Sequence, residues 1–261
     1  MKIDLQDRVV MITGGSEGIG KGIAQTLADC GAHVVIVSRD ESDLQSVVDE
    51  IQQSGGRADW AKADVTQSDQ LAAAVEKTVQ QHGRIDSLVA NAGTNGTWAP
   101  IDQLTPDEWR STIDVNLTGT YLAIHHCVPH LRKQGGSIVI MASINGTRTF
   151  SNEGASAYAV SKAGQYALAQ MLALELAPAK IRVNVICPGG IESNIHEKTE
   201  REDLSEIETP VVFPEGNIPL TGGEMGEPEQ VASLTAFLIS DLASHITGTP
   251  VWIDGGQSLI Q

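Results

Sequence analysis

The sequence lacks several features that mark particular classes of protein. No apolar run approaches the roughly 18 to 20 residues that span a bilayer. The first residues, MKIDLQDRVVMITGG, include an acidic residue and no cleavage-site pattern. The three cysteines, Cys30, Cys127 and Cys187, are odd in number, far apart and without metal-ligand spacing. These absences predict a cytoplasmic chain with reduced thiols, no disulfide framework and no metal site.

Positive charge is also scarce, because 17 Lys and Arg stand against 33 Asp and Glu, for a formal net charge of -16. Such a surface repels polyanions at long range. We therefore expect neither a nucleic-acid nor a membrane partner, and we interpret the acidity as that of a solvated surface. The 261 residues are 41% hydrophobic and 19% charged, which is ordinary for a globular protein with a sizeable core.

Short β-branched runs alternate with helix-length amphipathic segments along the sequence. RVVMIT, HVVIVS, GSIVIMAS and IRVNVICPG are such runs, and one of the helices is predicted to run from about Asp107 to Lys133. Strands that are apolar on both faces and separated by helices are typical of a parallel sheet covered on both sides. We predict an α/β fold with a doubly wound sheet and a single domain over residues 1–261.

The segment from Glu192 to Gly226 interrupts this alternation. It is acidic in HEKTEREDLSEIE and then carries three prolines in TPVVFPEGNIPLTGG. Long interruptions in a compact domain are more often functional or mobile than inert. Two interpretations stay open, a lid or loop that covers the substrate and a loosely ordered surface insertion.

The stretch TGGSEGIG, residues 13–20, joins the first apolar run to the first helical segment. Glycine admits positive φ and lets a phosphate approach the backbone, and the N–H groups of a helix N-terminus favour an anion. The stretch therefore indicates a seat for a nucleotide phosphate, although such a turn can also be only a tight connection. Glu17 is unexpected there, because it adds a negative charge.

Further short motifs follow in order along the predicted elements. YAVSK places Tyr158 and Lys162 on one face of a helix. GSIVIMAS delivers Ser143 at the end of a strand, where open α/β sheets build their sites. VANAG ends the preceding strand, DVNLTG places Asn116 inside the long helix, and CPGGIES follows the next strand. Each motif is weak alone, but their order leaves little room for coincidence.

Together the motifs TGxxxGxG, NAG, the helix Asn, Ser, YxxxK and PG resemble those of the short-chain dehydrogenases/reductases over essentially the full length. The resemblance implies a Rossmann-type sheet of seven strands, and commonly a homotetramer. It also implies hydride transfer between NADP(H) or NAD(H) and a small carbonyl or alcohol substrate. Two features depart from the family pattern: Ser193 stands where Thr is common after PG, and the stretch between Ser143 and Tyr158 is slightly longer than usual.

The resemblance assigns the chemistry to four residues. Tyr158 is the expected acid and base, and because free tyrosine titrates near a pKa of about 10, the Lys162 cation is expected to lower that pKa. Lys162 is also expected to hold the nicotinamide ribose, and Ser143 to hydrogen-bond the reacting oxygen. Asn116 is expected to position a water that relays protons to Lys162, while a bracing role in its helix stays open beside this.

The resemblance further implies a set of cofactor contacts. Those to the pyrophosphate and the adenosine side are Gly14, Ser16, Gly18, Ile19 and Gly20. Those to adenine and its ribose side are Asp64, Val65, Asn91, Ala92 and Gly93. Those toward the nicotinamide are Tyr158, Lys162, Pro188, Gly189, Ile191 and Ser193.

The end of the second strand bears on the choice of cofactor. NAD-preferring members carry an acidic residue there that binds the ribose 2′-OH. Here Ser38 is followed by Arg39, whose guanidinium suits a 2′-phosphate. Arg39 paired with Asp40 or Glu41 is the alternative, and Glu17 argues against NADP(H). We predict NADP(H), with use of NAD(H) left open.

Two rival functions stay open. The first is a 3-oxoacyl-carrier-protein reductase, which the charge disfavours because carrier proteins are acidic; Arg132 and Lys133 form the only short basic candidate. The second is a catalytically silent dinucleotide-binding sensor or scaffold. The substrate itself is not specified. Segments that could line its pocket carry Trp98, Asn145, Phe150, Glu153, Ile195 and Phe213.

Overall fold

The computed structural model describes residues 3–193, 195, 198–207 and 217–260. Its strands form one large and one small sheet. In chain order they are β1 (Val9–Thr13), β2 (His33–Ser38), β3 (Arg57–Lys62), β4 (Ser87–Ala90), β5 (Thr97–Trp98), β6 (Gly136–Met141), β7 (Ile181–Pro188), β8 (Glu200–Arg201) and β9 (Pro250–Ile253). The large sheet is parallel, in the order β3-β2-β1-β4-β6-β7-β9. This confirms the predicted doubly wound α/β fold with seven strands.

Helices cover both faces of the large sheet. They are α1 (Gly18–Asp29), α2 (Glu41–Gln53), α3 (Ser68–His82), α4 (Pro106–Ile113), α5 (Gly119–Leu131), α6 (Ser156–Leu176) and α7 (Pro228–Ile239). Val10 and Ile12 of β1 pack in the core with α1, α2 and α7, whereas Met11 packs with α3, α5 and α6. The run is apolar throughout because successive side chains enter opposite cores. Within the described ranges, no helix is long and apolar enough to cross a bilayer.

The helix predicted from about Asp107 to Lys133 is interrupted. α4 begins at a capping box formed by Thr105 and Glu108, and a π-helical turn, Asp114–Thr118, separates it from α5. Asn116 lies in this turn and is fully buried. Its side chain bonds the backbone of Thr94, which is distant in sequence, so helical periodicity alone does not predict the interruption. Single π-helical turns occur frequently at functional sites.

The small sheet joins the segment after Glu192 to the loop after β4. β5 and β8 pair in parallel, with Thr97 opposite Glu200. Beside them, the buried Asn95 amide donates to the Thr199 hydroxyl at 2.8 Å. These contacts fix residues 199–201 against the loop that follows β4.

Candidate active site

A cleft of about 450 Å³ opens where Thr13 and Ala90 end β1 and β4. The strand order reverses between these two strands, and open α/β sheets bind ligands at that point. All but one of the predicted catalytic and cofactor-binding residues line the cleft: Gly14, Ser16, Gly18, Ile19, Gly20, Ser38, Arg39, Asp64, Val65, Asn91, Ala92, Gly93, Ser143, Tyr158, Lys162, Pro188, Gly189, Ile191 and Ser193. The exception is Asn116, which is buried outside the cleft lining.

At two glycines of the loop at one end of the cleft, another part of the backbone lies too close to leave room for a side chain. Gly14 has a φ of 65°, and a Cβ there would lie 2.7 Å from the Cα of Ala92. A Cβ on Gly20 would lie 2.0 Å from the carbonyl oxygen of Gly14. Both positions need glycine, because the opposing atoms belong to the backbone. The first turn of α1 therefore lines the cleft with N–H groups that have no partner within the helix, which suits an anion.

The negative charge of Glu17 in the glycine loop is compensated by Lys198, which is far away in the sequence but in contact in the structure. Both carboxylate oxygens of Glu17 accept hydrogen bonds from Lys198 Nζ, at 2.5 and 2.6 Å. The two residues line the same cleft. They are 181 positions apart, so no local pattern predicts the pair. The negative charge that argued against NADP(H) is thus paired in the structure.

Arg39, directly after β2, has no carboxylate partner among the described residues. The Ser16 hydroxyl donates to the Ser38 hydroxyl at 3.1 Å. Asp40 caps α2, and hydrogen bonds from Ser42 and from the backbone of Asp43 hold the pKa of Asp40 below its usual range. Arg39 lines the cleft and makes no ion pair with any residue in the described part of the chain. The alternative pairing of Arg39 with Asp40 or Glu41 is therefore not observed.

Three reactive side chains meet at the other end of the cleft. Tyr158 and Lys162 lie one turn apart on α6 and are 9% and 4% exposed. Ser143 follows β6, and its hydroxyl lies beside that of Tyr158. Lys162 Nζ donates to the Met141 carbonyl at 2.9 Å and lies 5.5 Å from the centre of the Tyr158 ring. The Tyr158 phenol, the Ser143 hydroxyl and the Lys162 amine thus lie together in a part of the cleft with little access to solvent.

Burial dominates the ionisation of this group. It raises the pKa of Tyr158, although the neighbouring Ser143 hydroxyl lowers it. It also lowers the pKa of Lys162 to about 8. The expectation that Lys162 brings the pKa of Tyr158 below its ordinary value is therefore wrong for this structure. The reason is that both groups lose their hydration, which disfavours their charged forms.

The Asn116 side chain connects two segments of the site by hydrogen bonds. Its Oδ1 accepts the Thr94 N–H at 2.8 Å, and its Nδ2 donates to the Thr94 carbonyl at 2.8 Å and to the Ser161 hydroxyl at 2.9 Å. It therefore ties the loop after β4 to α6, the helix of Tyr158 and Lys162. The bracing contact is observed, whereas the relay of protons through a water stays a prediction.

The remaining wall of the cleft is rich in neutral amides. Of the candidates noted from the sequence, Trp98, Asn145 and Ile195 line it. Phe150 is 75% exposed, and neither Phe150 nor Glu153 is among the described residues of the lining. Phe213 lies outside the described residues.

Sequence reasoning missed several residues of this wall, namely Thr94, Asn95, Asn152, Lys198 and Gln257. Asn152 Nδ2 donates to Asn145 Oδ1 at 3.0 Å, and Gln257 Oε1 accepts the Gly190 N–H at 2.8 Å. These residues come from separate loops. Only the tertiary structure brings them together, although the position of Thr94 and Asn95 directly after NAG was a usable signal.

Comparisons with known proteins agree over nearly the whole chain. A family model described as "Enoyl-(Acyl carrier protein) reductase" matches residues 14–258. The chain is 39% identical to a 3-oxoacyl-[acyl-carrier-protein] reductase of Thermotoga maritima, over 97% of this chain and 98% of that protein. It is 32% identical to glucose 1-dehydrogenase 2 of Bacillus subtilis, over 98% and 96% of the two chains.

Solved structures give the same result. A 3-ketoacyl-ACP reductase from Sinorhizobium meliloti is 48% identical, with a TM-score of 0.93 over 97% of this chain and 100% of that chain. A 3-ketoacyl-(acyl-carrier-protein) reductase from Brucella melitensis, complexed with NADH, is 32% identical, with a TM-score of 0.86 over 98% and 100%.

Proposed function

Because the chain belongs to the short-chain dehydrogenase/reductase family, we propose that Ser143, Tyr158 and Lys162 carry its reaction and that it prefers NADP(H). Its activity class is that of an NAD(P)-dependent oxidoreductase interconverting a carbonyl and an alcohol. One observation carries the catalytic assignment: the hydroxyls of Ser143 and Tyr158 lie side by side next to a buried lysine, in the cleft that the glycine loop opens.

In this proposal each residue has a distinct task. A nicotinamide cofactor bound in this cleft would supply the hydride for the carbonyl carbon, or accept the hydride that leaves the alcohol. Tyr158 gives its phenolic proton to the carbonyl oxygen, and its raised pKa keeps it protonated until that step. The Ser143 hydroxyl, preset by the end of β6, stabilises the charge that develops on the same oxygen. The Lys162 ammonium stabilises the phenolate that remains.

The cofactor preference rests on the end of β2. Ser38 leaves no carboxylate there to repel a 2′-phosphate, and Arg39 is available to bind one through paired hydrogen bonds. Arg39→Asp should move the ratio of kcat/KM values toward NADH by about tenfold or more, since a charged hydrogen bond is lost and a repulsion gained. Arg132→Asp, on the far end of α5, is the matched control. An unchanged cofactor ratio in Arg39→Asp would overturn the preference.

We also propose that residues 1–261 form one catalytic domain in which residues 192–226 serve as the substrate loop. The Glu17–Lys198 pair, the Asn95–Thr199 hydrogen bond and the position of Ile195 in the cleft lining support this role. The neutral amides of the wall favour a small, uncharged polar ketone, sugar or alcohol as substrate.

A 3-oxoacyl-carrier-protein reductase is the second candidate, because three of the proteins above carry that name or its 3-ketoacyl synonym, at 39%, 48% and 32% identity. The net charge of -16 opposes it, since an acidic carrier protein would be repelled. Turnover of one acetoacetyl thioester should be compared on the carrier protein and on free pantetheine. A kcat/KM at least tenfold higher on the carrier protein would establish this candidate, and equal values would exclude it.

The oligomer we propose is a homotetramer. The apolar side chains of Val160, Met171 and Leu174 are exposed along α6, with Tyr121 on α5. Exposed apolar patches of this kind mark protein interfaces.

A further inference from the structure

A second cluster of ligand-type side chains lies at the amino ends of the strands, away from the cleft. His33 is the first residue of β2, Asp59 lies on the neighbouring strand β3, and His82 ends α3. His33 Nε2 is 2.7 Å and His82 Nε2 3.1 Å from the same carboxylate oxygen, Asp59 Oδ2. All three donor atoms lie within 4.8 Å of one another. His33 and Asp59 are 26 positions apart and Asp59 and His82 are 23 apart, so these residues show no short metal-ligand spacing in the sequence.

Hydrogen bonding alone leaves this cluster incomplete. His82 Nε2 is buried and has no aligned hydrogen-bond partner within the described part of the chain. The two imidazole rings lie 4.1 Å apart, and both direct Nε2 toward one carboxylate. If both rings were protonated, two positive charges would face each other across that distance. His82 Nε2 lies 3.1 Å from Asp59 Oδ2 without the alignment of a hydrogen bond, and a cation shared by the three donors would satisfy this nitrogen without that repulsion.

We propose that His33, Asp59 and His82 form a binding site for a divalent transition-metal ion of the Zn²⁺ class. Two imidazole nitrogens and one carboxylate oxygen are typical zinc ligands, with bonds of about 2.0 to 2.2 Å, and such bonds place tetrahedral donors about 3.4 Å apart. The observed 2.7 and 3.1 Å must widen by less than 1 Å. Asp59 allows this, because its side chain is 36% exposed and lies on the edge strand.

The metal would act on the fold rather than on the reaction. Its three ligands belong to β2, β3 and α3, so it would fasten the edge strand β3 to its neighbour and to the helix beside it. The acidic surface, at -16, also favours a cation over an anion. The expectation of no metal site rested on cysteine spacing and sequence motifs, and this cluster uses neither.

The test is metal binding by the full chain after removal of metals with a chelator. Calorimetric titration with Zn²⁺ should show one ion bound per chain. At 100-fold excess over Kd, the Tm should rise by about 5 °C. His33→Ala, Asp59→Asn and His82→Gln should each weaken binding by about tenfold or more and remove the rise in Tm. His245→Ala, which removes an exposed histidine outside the cluster, should change neither.

Asp59→Asn and His82→Gln preserve side-chain size, and an unchanged Tm without metal shows that the variant is folded. The proposal is overturned if the wild type does not bind Zn²⁺, or if these two variants bind it as the wild type does. It is also overturned if Mg²⁺, which prefers oxygen ligands, produces the same rise in Tm.

Discussion

Lys162 is a cation held almost entirely out of water, with the Met141 carbonyl as its hydrogen-bond partner at 2.9 Å. Desolvation lowers its pKa from 10.5 to about 8. Between these two values the folded protein therefore binds fewer protons than the unfolded chain. Because stability rises with pH wherever the unfolded state binds more protons, Lys162 destabilises the fold below about pH 8, and the effect is relieved as the pH rises toward 10.5.

The direction of this pH dependence can be tested with Lys162→Met, which keeps the approximate length of the side chain and removes the charge. From pH 7.5 to pH 10, the free energy of unfolding of the wild type should increase relative to the variant by on the order of 1 to 3 kcal/mol. Denaturant unfolding of both proteins at each pH gives the difference. Lys133→Met, at an exposed position, should show no such trend. If the difference in free energy of unfolding between the wild type and Lys162→Met is the same at every pH, the Lys162 ammonium is well solvated.

Among the elements, those with a strong local pattern were predictable, and those built by distant contacts were not. The apolar runs that became β1, β2, β6 and β7 identified a doubly wound sheet, and the YAVSK motif placed Tyr158 and Lys162 on one face of α6. The π-helical turn around Asn116 depends on Thr94, 22 residues earlier. The Glu17–Lys198 pair spans 181 residues. Neither contact leaves a periodic trace in the sequence.

The π-helical turn should matter for both stability and activity. Asn116→Ala removes the partners of the Thr94 N–H and carbonyl, each costing about 1 to 3 kcal/mol when left unpaired. We expect a lower Tm and a lower kcat, because the loop after β4 is released from α6. Asn184→Ala is the control, since that buried amide on β7 also bonds two backbone groups, of Ile246 and Thr249. Asn184→Ala should lower Tm alone, and equal loss of kcat in both folded variants would contradict a positioning role.

The Glu17–Lys198 pair should affect cofactor binding more than folding. The side chains are 54% and 59% exposed, so the pair contributes less than about 1 kcal/mol to stability. Lys198→Ala leaves the Glu17 carboxylate uncompensated beside the phosphate seat, and the KM for NADPH should rise about threefold to tenfold at low salt. The double variant Glu17→Gln/Lys198→Ala should restore the KM. If the double variant stays as impaired as Lys198→Ala, charge compensation is not the function of the pair.

For the protein as a whole, the motifs indicated the family and the composition indicated the acidic surface, but the oligomeric state depends on which apolar faces of the protomer are exposed. Met171 is 71% and Leu174 81% exposed on α6. Replacing both by Glu places charges on this patch, so light scattering should detect a smaller species with unchanged circular dichroism. Leu220→Glu is the control, because Leu220 is 83% exposed outside the α5 and α6 patch. If the oligomer of the Met171 and Leu174 double variant has the same mass as that of the wild type, the interface lies elsewhere.

We propose above all that this cleft moves a hydride between a nicotinamide and a carbonyl carbon while Tyr158 moves the proton. The most direct test uses NADPH labelled with deuterium at the transferable C4 position and a panel of small ketones, followed by NMR of the alcohol product. We predict deuterium on the carbinol carbon with the wild type, and a rate lower by about 10²- to 10⁴-fold with Tyr158→Phe, although that variant still binds NADPH. Binding of NADPH without label transfer by either protein, across the whole panel, would contradict the claim and favour a silent dinucleotide-binding protein.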